Sequence, residues 1–187
     1  MKYSKDFNRR SFIKTSAMAG AGMSLFPFSL SSFPGALSTA SGKRIGIIGL
    51  DTSHSEVFTR IINKDGLGTN GYKVVAAFPE GTKDIPSALK ERPGVMEAVK
   101  EMGIEMVSSI EELIKKVDVV LLESNDGRPH YEQALPVLRA GKRMFIDKPI
   151  AATLKDVKLI FEASQKYKTP IFTSSALRFD VNVQKVV

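Results

Sequence analysis

Arg44-Ile45-Gly46-Ile47-Ile48-Gly49-Leu50-Asp51-Thr52-Ser53-His54 is the stretch that decides the fold. Its apolar run predicts a short strand over Ile45–Leu50, with Gly49 making a turn at its end. Val57, Phe58, Ile61 and Ile62 recur at helical spacing, so a helix is expected from Ser55 to Ile62, with Ser53-x-x-Glu56 as its capping box. A strand, a glycine turn and a helix in this order open a dinucleotide-binding domain. The fingerprint G-x-G-x-x-G, begun at Gly49, would place glycines where Asp51 and His54 stand. A helix N-terminus lined by Thr52, Ser53 and His54 suits a phosphate. An ionised Asp51 does not, because two unit charges ~4 Å apart repel by about 4 kcal/mol at an effective dielectric near 20. Asp51 therefore points away, or meets a cation or a ribose hydroxyl, or no pyrophosphate binds.

Outward from this stretch, strands and helices alternate as in βαβ units. Lys73–Phe78, Glu105–Val107, Val117–Glu123, Arg143–Ile146 and Pro170–Ser174 read as strands. Helices are expected over Gly94–Met102, from Ser109, over His130–Ala140 and over Leu154–Lys166, with residues 79–94 a polar connection. The continuous apolar run Val117–Glu123 fits the centre of a parallel sheet. The fold class is α/β, a doubly wound, Rossmann-like parallel sheet, whose ligands bind beyond the carboxyl ends of the strands.

Several strand-end residues could carry chemistry. Glu80, after the second strand, could accept hydrogen bonds from an adenosine ribose, or be a solvated turn residue. Glu123-Ser124-Asn125-Asp126-Gly127-Arg128-Pro129-His130 follows the central strand abruptly. Glu123 would be costly to bury without partners, and His130 is a site candidate beside Ser124 and Asn125. Asp147-Lys148-Pro149 follows the next strand, where a lysine held in stiff local geometry can donate to a substrate oxygen or relay a proton. Asp51 with His54 lacks further evident metal ligands, so no metal is expected.

The 187 residues contain no cysteine, which excludes disulfides, thiolate metal sites and cysteine nucleophiles. The net charge of +7 is concentrated at the start. Residues 1–40 hold five basic side chains against Asp6, a net +4, which leaves +3 spread over residues 41–187. No nucleic-acid partner is indicated, and no apolar run approaches the ~20 residues of a membrane span. Asn8-Arg9-Arg10-Ser11-Phe12-Ile13-Lys14 is a twin-arginine pattern, followed by a stretch rich in Gly, Ala and Ser without acids. Residues 1–40 therefore read as a Tat signal, with Ser38-Thr39-Ala40 as the cleavage site, the Tat translocase as export partner and the periplasm as destination. Tat moves folded proteins, which suits a cofactor acquired before export.

Taken together, these motifs resemble the Gfo/Idh/MocA family of NAD(P)-dependent sugar oxidoreductases, at its N-terminal domain, over residues 43 to about 179. Gly46 and Gly49 match the family's glycine turn, and Ser124, Asn125 and His130 loosely match its Pro-Asn-like turn and histidine. Asp147-Lys148-Pro149 matches its Glu-Lys-Pro motif, with Asp for Glu. The resemblance implies NAD or NADP as cofactor and a sugar or sugar-like alcohol as substrate, with hydride transfer as the reaction. It implies a catalytic role for Lys148 and cofactor contacts from Gly49, Thr52, Ser53, His54, Glu80, Ser124, Asn125, His130, Asp147 and Lys148. Residues 41–175 would form the nucleotide-binding domain and residues 176–187 the truncated start of a second, substrate-binding α/β domain. Such a fragment is expected to be inactive alone, with homo-oligomerisation of the full-length protein left open. Asp51 and the weak acid after the second strand motivate a second reading, a Rossmann-like binding or scaffold protein that has lost dinucleotide binding.

Overall fold

In the computed structural model, residues 43–64 and 70–185 are described. The twin-arginine segment and the expected cleavage site lie outside them. Among the described residues, β1 (Arg44–Ile48), β2 (Lys73–Phe78), β3 (Glu105–Met106), β4 (Val119–Leu122), β5 (Arg143–Asp147) and β6 (Ile171–Ser174) form one sheet in the order β3-β2-β1-β4-β5-β6. Every pairing is parallel. The crossovers carry α1 (Ser53–Asn63), α2 (Pro86–Glu101), α3 (Ile110–Lys116), α4 (His130–Arg139) and α5 (Leu154–Lys166).

Parallel strands are covered on both faces, so they need apolar side chains on both. Ile47, Ile48, Val120, Leu122 and Ile146 are fully buried accordingly. One apolar layer gathers Leu113, Val137, Leu138 and Ile160 on one side. Val95, Val99 and Ile104 join Ile45 and Ile47 in the other. Gly46 lets a helix approach the central strand closely, since a Cβ there would come within 2.9 Å of Leu113 Cδ1. At the amino ends of the central strands, Arg44 grips Asp118 with its backbone amide, Nε and Nη2, each at 3.0 Å.

The chain runs outward from β1 to β3 and then returns to β4 on the other side of β1. Strand order thus reverses between β1 and β4, and the turns after β1, β4 and β5 meet at the carboxyl edge beside this crevice.

Two helix starts differ from the sequence reading. α1 begins at Ser53, and Thr52 caps it by accepting from the His54 amide at 3.4 Å. Glu56, expected in a capping box, pairs with Arg60 instead. α2 begins at Pro86 rather than Gly94, so half of the expected connection is helical. Proline is well placed in a first helical turn, whereas Pro93 lies in the helix interior, where it removes a hydrogen bond. Buried Ala88, Val95 and Val99 hold this helix against the core.

Candidate functional site

Gly49 makes the turn after β1 with a φ of +88°, and a Cβ there would lie 2.5 Å from Ser124 Oγ. The position is therefore closed to side chains on two counts. Gly49 N donates to Phe78 O at 2.9 Å and Leu50 N to Pro79 O at 3.1 Å, which lace the turn to the end of β2. Ser55 Oγ donates to Gly49 O at 2.8 Å.

Asp51 is fully buried, and its carboxylate turns inward. It accepts from Thr82 N at 2.5 Å and from Asn125 N at 3.1 Å, tying the turn to the loops after β2 and β4. Of the three outcomes open to this residue, pointing away is the one observed. A Cβ at Gly81 would collide with both Asp51 oxygens. The charge that would repel a phosphate is thus committed to two amides in the interior. What remains at the turn is a close approach at Gly49 and the first-turn amides of α1, which have no partner within the helix. These residues fit a dinucleotide phosphate.

The other residues expected to contact cofactor fall into distinct groups. Glu80 lies outside the turn, its side chain 62% exposed and 3.0 Å from Arg92 Nη1. Ser124 is buried and donates from Oγ to Gln133 Oε1 at 2.9 Å. His130 is fully buried: Nε2 lies 2.8 Å from Ser124 O and Nδ1 3.2 Å from Ile150 O. Its ring is a strut between the loops after β4 and β5 and does not open on the crevice. Beside the Asp51 seam, a cleft of about 260 Å³ is lined in part by Gly81, Asp84, Asp126 and Arg128. Arg128 bridges Asp126 at 2.7 Å and Asp84 at 3.0 Å, and its guanidinium holds both carboxyls below their usual range. Sequence reasoning did not single out Asp84 or Arg128, because nothing local signals a pair 44 residues apart.

The β5 end of the crevice gathers residues from three turns. Asp147 ends β5 nearly buried, with its Oδ2 2.6 Å from His54 Nδ1 and 3.5 Å from Lys148 Nζ. Lys148 and His54 are partly open, with side chains 48% and 37% exposed. The Lys148–Pro149 peptide is cis. An aromatic run underlies His54: its ring lies 5.8 Å from Phe58, which lies 6.1 Å from Phe145, which lies 5.0 Å from Phe172. Glu123, just beyond β4, has no solvent exposure, and neither carboxylate oxygen has a hydrogen-bond partner among the described residues. Burial pushes its carboxyl up to about 8; the Asp147 charge adds to the shift and Lys148 opposes it.

A family model described as an oxidoreductase family with an NAD-binding Rossmann fold matches residues 43–174. The chain belongs to this oxidoreductase family. A second model, the twin-arginine translocation pathway signal sequence, matches residues 6–26. The chain is similar to a myo-inositol 2-dehydrogenase from Thermotoga maritima, 30% identical over 148 residues, covering 76% of this chain and 39% of that protein. A 1,5-anhydro-D-fructose reductase from Ensifer adhaerens is 36% identical over 80 residues, covering 42% of this chain and 24% of that protein. Among solved structures, the WlbA dehydrogenase from Bordetella pertussis, in complex with NADH and UDP-GlcNAcA, superposes with a TM-score of 0.59. That pair is 23% identical over 77% of this chain and 40% of the other. The chain spans about two fifths of the length of the Thermotoga relative. The oxidoreductase family's NAD-binding Rossmann fold is thus built here around Gly49 and an inward-turned Asp51, with Lys148 at the end of β5.

Proposed function

We propose that this chain is the nucleotide-binding part of an exported oxidoreductase that uses NAD or NADP and acts on a sugar or sugar-like alcohol. The observation that carries the reading is the placement of Lys148 and Asp147 at the end of β5, on the carboxyl edge shared with the glycine turn. The names of the Thermotoga and Ensifer relatives support a polyhydroxy substrate, and the twin-arginine signal supports a periplasmic destination.

A bound dinucleotide would supply the hydride acceptor or donor. Gly49, Thr52 and Ser53 would hold its phosphates at the start of α1, and Ser124 and Asn125 would bound the crevice from the β4 side. Lys148, partly open to solvent, would hold the substrate oxygen and donate to it as charge develops there. Asp147, through the one oxygen that meets both His54 and Lys148, would steady that ammonium and hold the imidazole.

The test is a titration of the 187-residue chain with NADH and with NADPH, followed by nicotinamide fluorescence and thermal melting. Saturable binding is expected, with about 2.7 kcal/mol of added stability at a hundredfold excess over Kd. A folded chain that binds neither would favour the cofactor-free Rossmann-like binding protein instead.

A further inference from the structure

We propose that His54, Glu123 and Asp147 form a binding site for a divalent transition-metal cation at the carboxyl edge of the sheet. Each offers one ligand atom, and these atoms all lie within 4.8 Å of one another. A cation ~2.0–2.2 Å from each donor needs them roughly 3–4 Å apart, so the hydrogen-bonded pair His54 Nδ1 and Asp147 Oδ2, now 2.6 Å apart, must open while the wider separations close.

The condition of Glu123 supplies the independent observation. It is fully buried, it belongs to this cluster, and both of its oxygens lack a hydrogen-bond partner among the described residues. A buried carboxylate in that condition is costly. The contrast with Asp51 is informative, because that carboxylate is equally buried and yet bonded to two backbone amides. The fold supplies donors to one buried acid and withholds them from the other. Asp147 adds a second carboxylate beside Glu123, and among the described residues the cation facing the pair is Lys148, whose ion pair is with Asp147 at 3.5 Å. A metal ion would compensate both acids at once, and the 37% exposure of His54 leaves it a way in.

The donor set indicates which metal. One imidazole nitrogen and two carboxylate oxygens suit zinc, manganese or iron better than magnesium or calcium, which prefer all-oxygen surroundings. Three protein ligands leave coordination positions open for water or for a substrate oxygen. The inference rests on three side chains alone and does not depend on dinucleotide binding.

The test uses the 187-residue chain freed of metal with a chelator and titrated with Zn²⁺, Mn²⁺ and, as a hard-cation control, Mg²⁺. Calorimetry and thermal melting are the readouts, and Co²⁺ gives visible absorption that reports the ligand field. One saturable equivalent of Zn²⁺ or Mn²⁺ is expected, with Mg²⁺ weaker, and with Kd raised at least ~tenfold by His54→Ala, Glu123→Gln and Asp147→Asn. His54→Ala alters a partly exposed side chain, so it reads the site even where a variant at a buried acid folds poorly. Glu111→Gln, exposed in the first turn of α3 and outside the cluster, should leave binding unchanged. A folded chain that binds none of these metals overturns the proposal, and so does binding that all three ligand variants leave intact. Metal binding without NADH binding would refute only the dinucleotide reading, and the converse result only the metal site.

Discussion

His54 Nδ1 lies 2.6 Å from Asp147 Oδ2, a residue 93 positions further along the chain. The contact joins the start of α1 to the end of β5 across the point where strand order reverses. Lys148 Nζ lies 3.5 Å from the same carboxylate oxygen. A single acid thus positions both an imidazole and an ammonium, and each reaches partly into solvent.

Under the proposed function, that arrangement separates chemistry from stability at Lys148. Its side chain is half open, and the one ion pair found for it is 3.5 Å long. Lys148→Ala should change unfolding free energy by less than about 1 kcal/mol. In a form of the protein that turns over substrate, the same change should lower kcat/KM by roughly a hundredfold or more, with dinucleotide affinity little affected. Urea unfolding beside steady-state kinetics checks both halves, and unchanged turnover would remove Lys148 from the reaction.

His130 should behave in the opposite way. It is fully buried and spans the carbonyls of Ser124 and Ile150. His130→Ala leaves a cavity and strips polar groups of their partner, which should cost about 2–4 kcal/mol. Chemical denaturation measures that loss. Dinucleotide affinity at a temperature where the variant stays folded should be close to that of the parent, and a large specific loss would give the ring a direct cofactor role.

The seam between Asp51 and position 81 predicts a coupled pair. Gly81→Ala puts a methyl where the Asp51 carboxylate sits and should destabilise by about 1–3 kcal/mol. Asp51→Ala alone leaves the Thr82 and Asn125 amides without their acceptor, at a cost of about 1–3 kcal/mol. The double variant should be more stable than the sum of the two losses implies. A double-mutant cycle by thermal denaturation that came out additive would show that the two residues do not share the space.

At the amino ends of β1 and β4, acid should act through Asp118. The Arg44 guanidinium and amide hold its carboxyl below the ordinary value of 3.8. In the unfolded chain the carboxyl regains that value and takes up a proton more readily, so the pair's contribution is present above about pH 4 and is lost as pH falls through the depressed folded value. Asp118→Asn should weaken the chain at neutral pH and flatten its stability profile on the acid side. An unchanged slope between pH 2 and 4 would place the acid sensitivity elsewhere.

Sheet and order of elements were legible because parallel strands announce themselves as apolar runs: Ile45–Leu50 and the run ending at Leu122 could be little else. The start of α2 was not, since Pro93 and Gly94 carry helix-breaking signals locally while Val95 and Val99 outweigh them by packing in the core. At the site, the strand-end residues were visible one turn at a time. The partnership of His54 with Asp147 was not, because it depends on strand order and not on spacing, which sets His54 only beside its near neighbour Asp51. The role of His130 was hidden for the same reason: a histidine at a turn looks alike from sequence whether its ring faces ligand or carbonyls. Glu123 is expensive to bury by its charge, and it is buried with no hydrogen-bond partner among the described residues.

Asp51 and Gly81 also constrain the history open to this turn. A side chain at position 81 and the inward acid compete for one space, so a chain that carries both must distort the turn. Once the acid is in place, position 81 cannot regain a side chain without crowding it. The low-cost order of substitution is therefore set in each direction: glycine at 81 before the inward acid, and loss of the acid before a side chain returns.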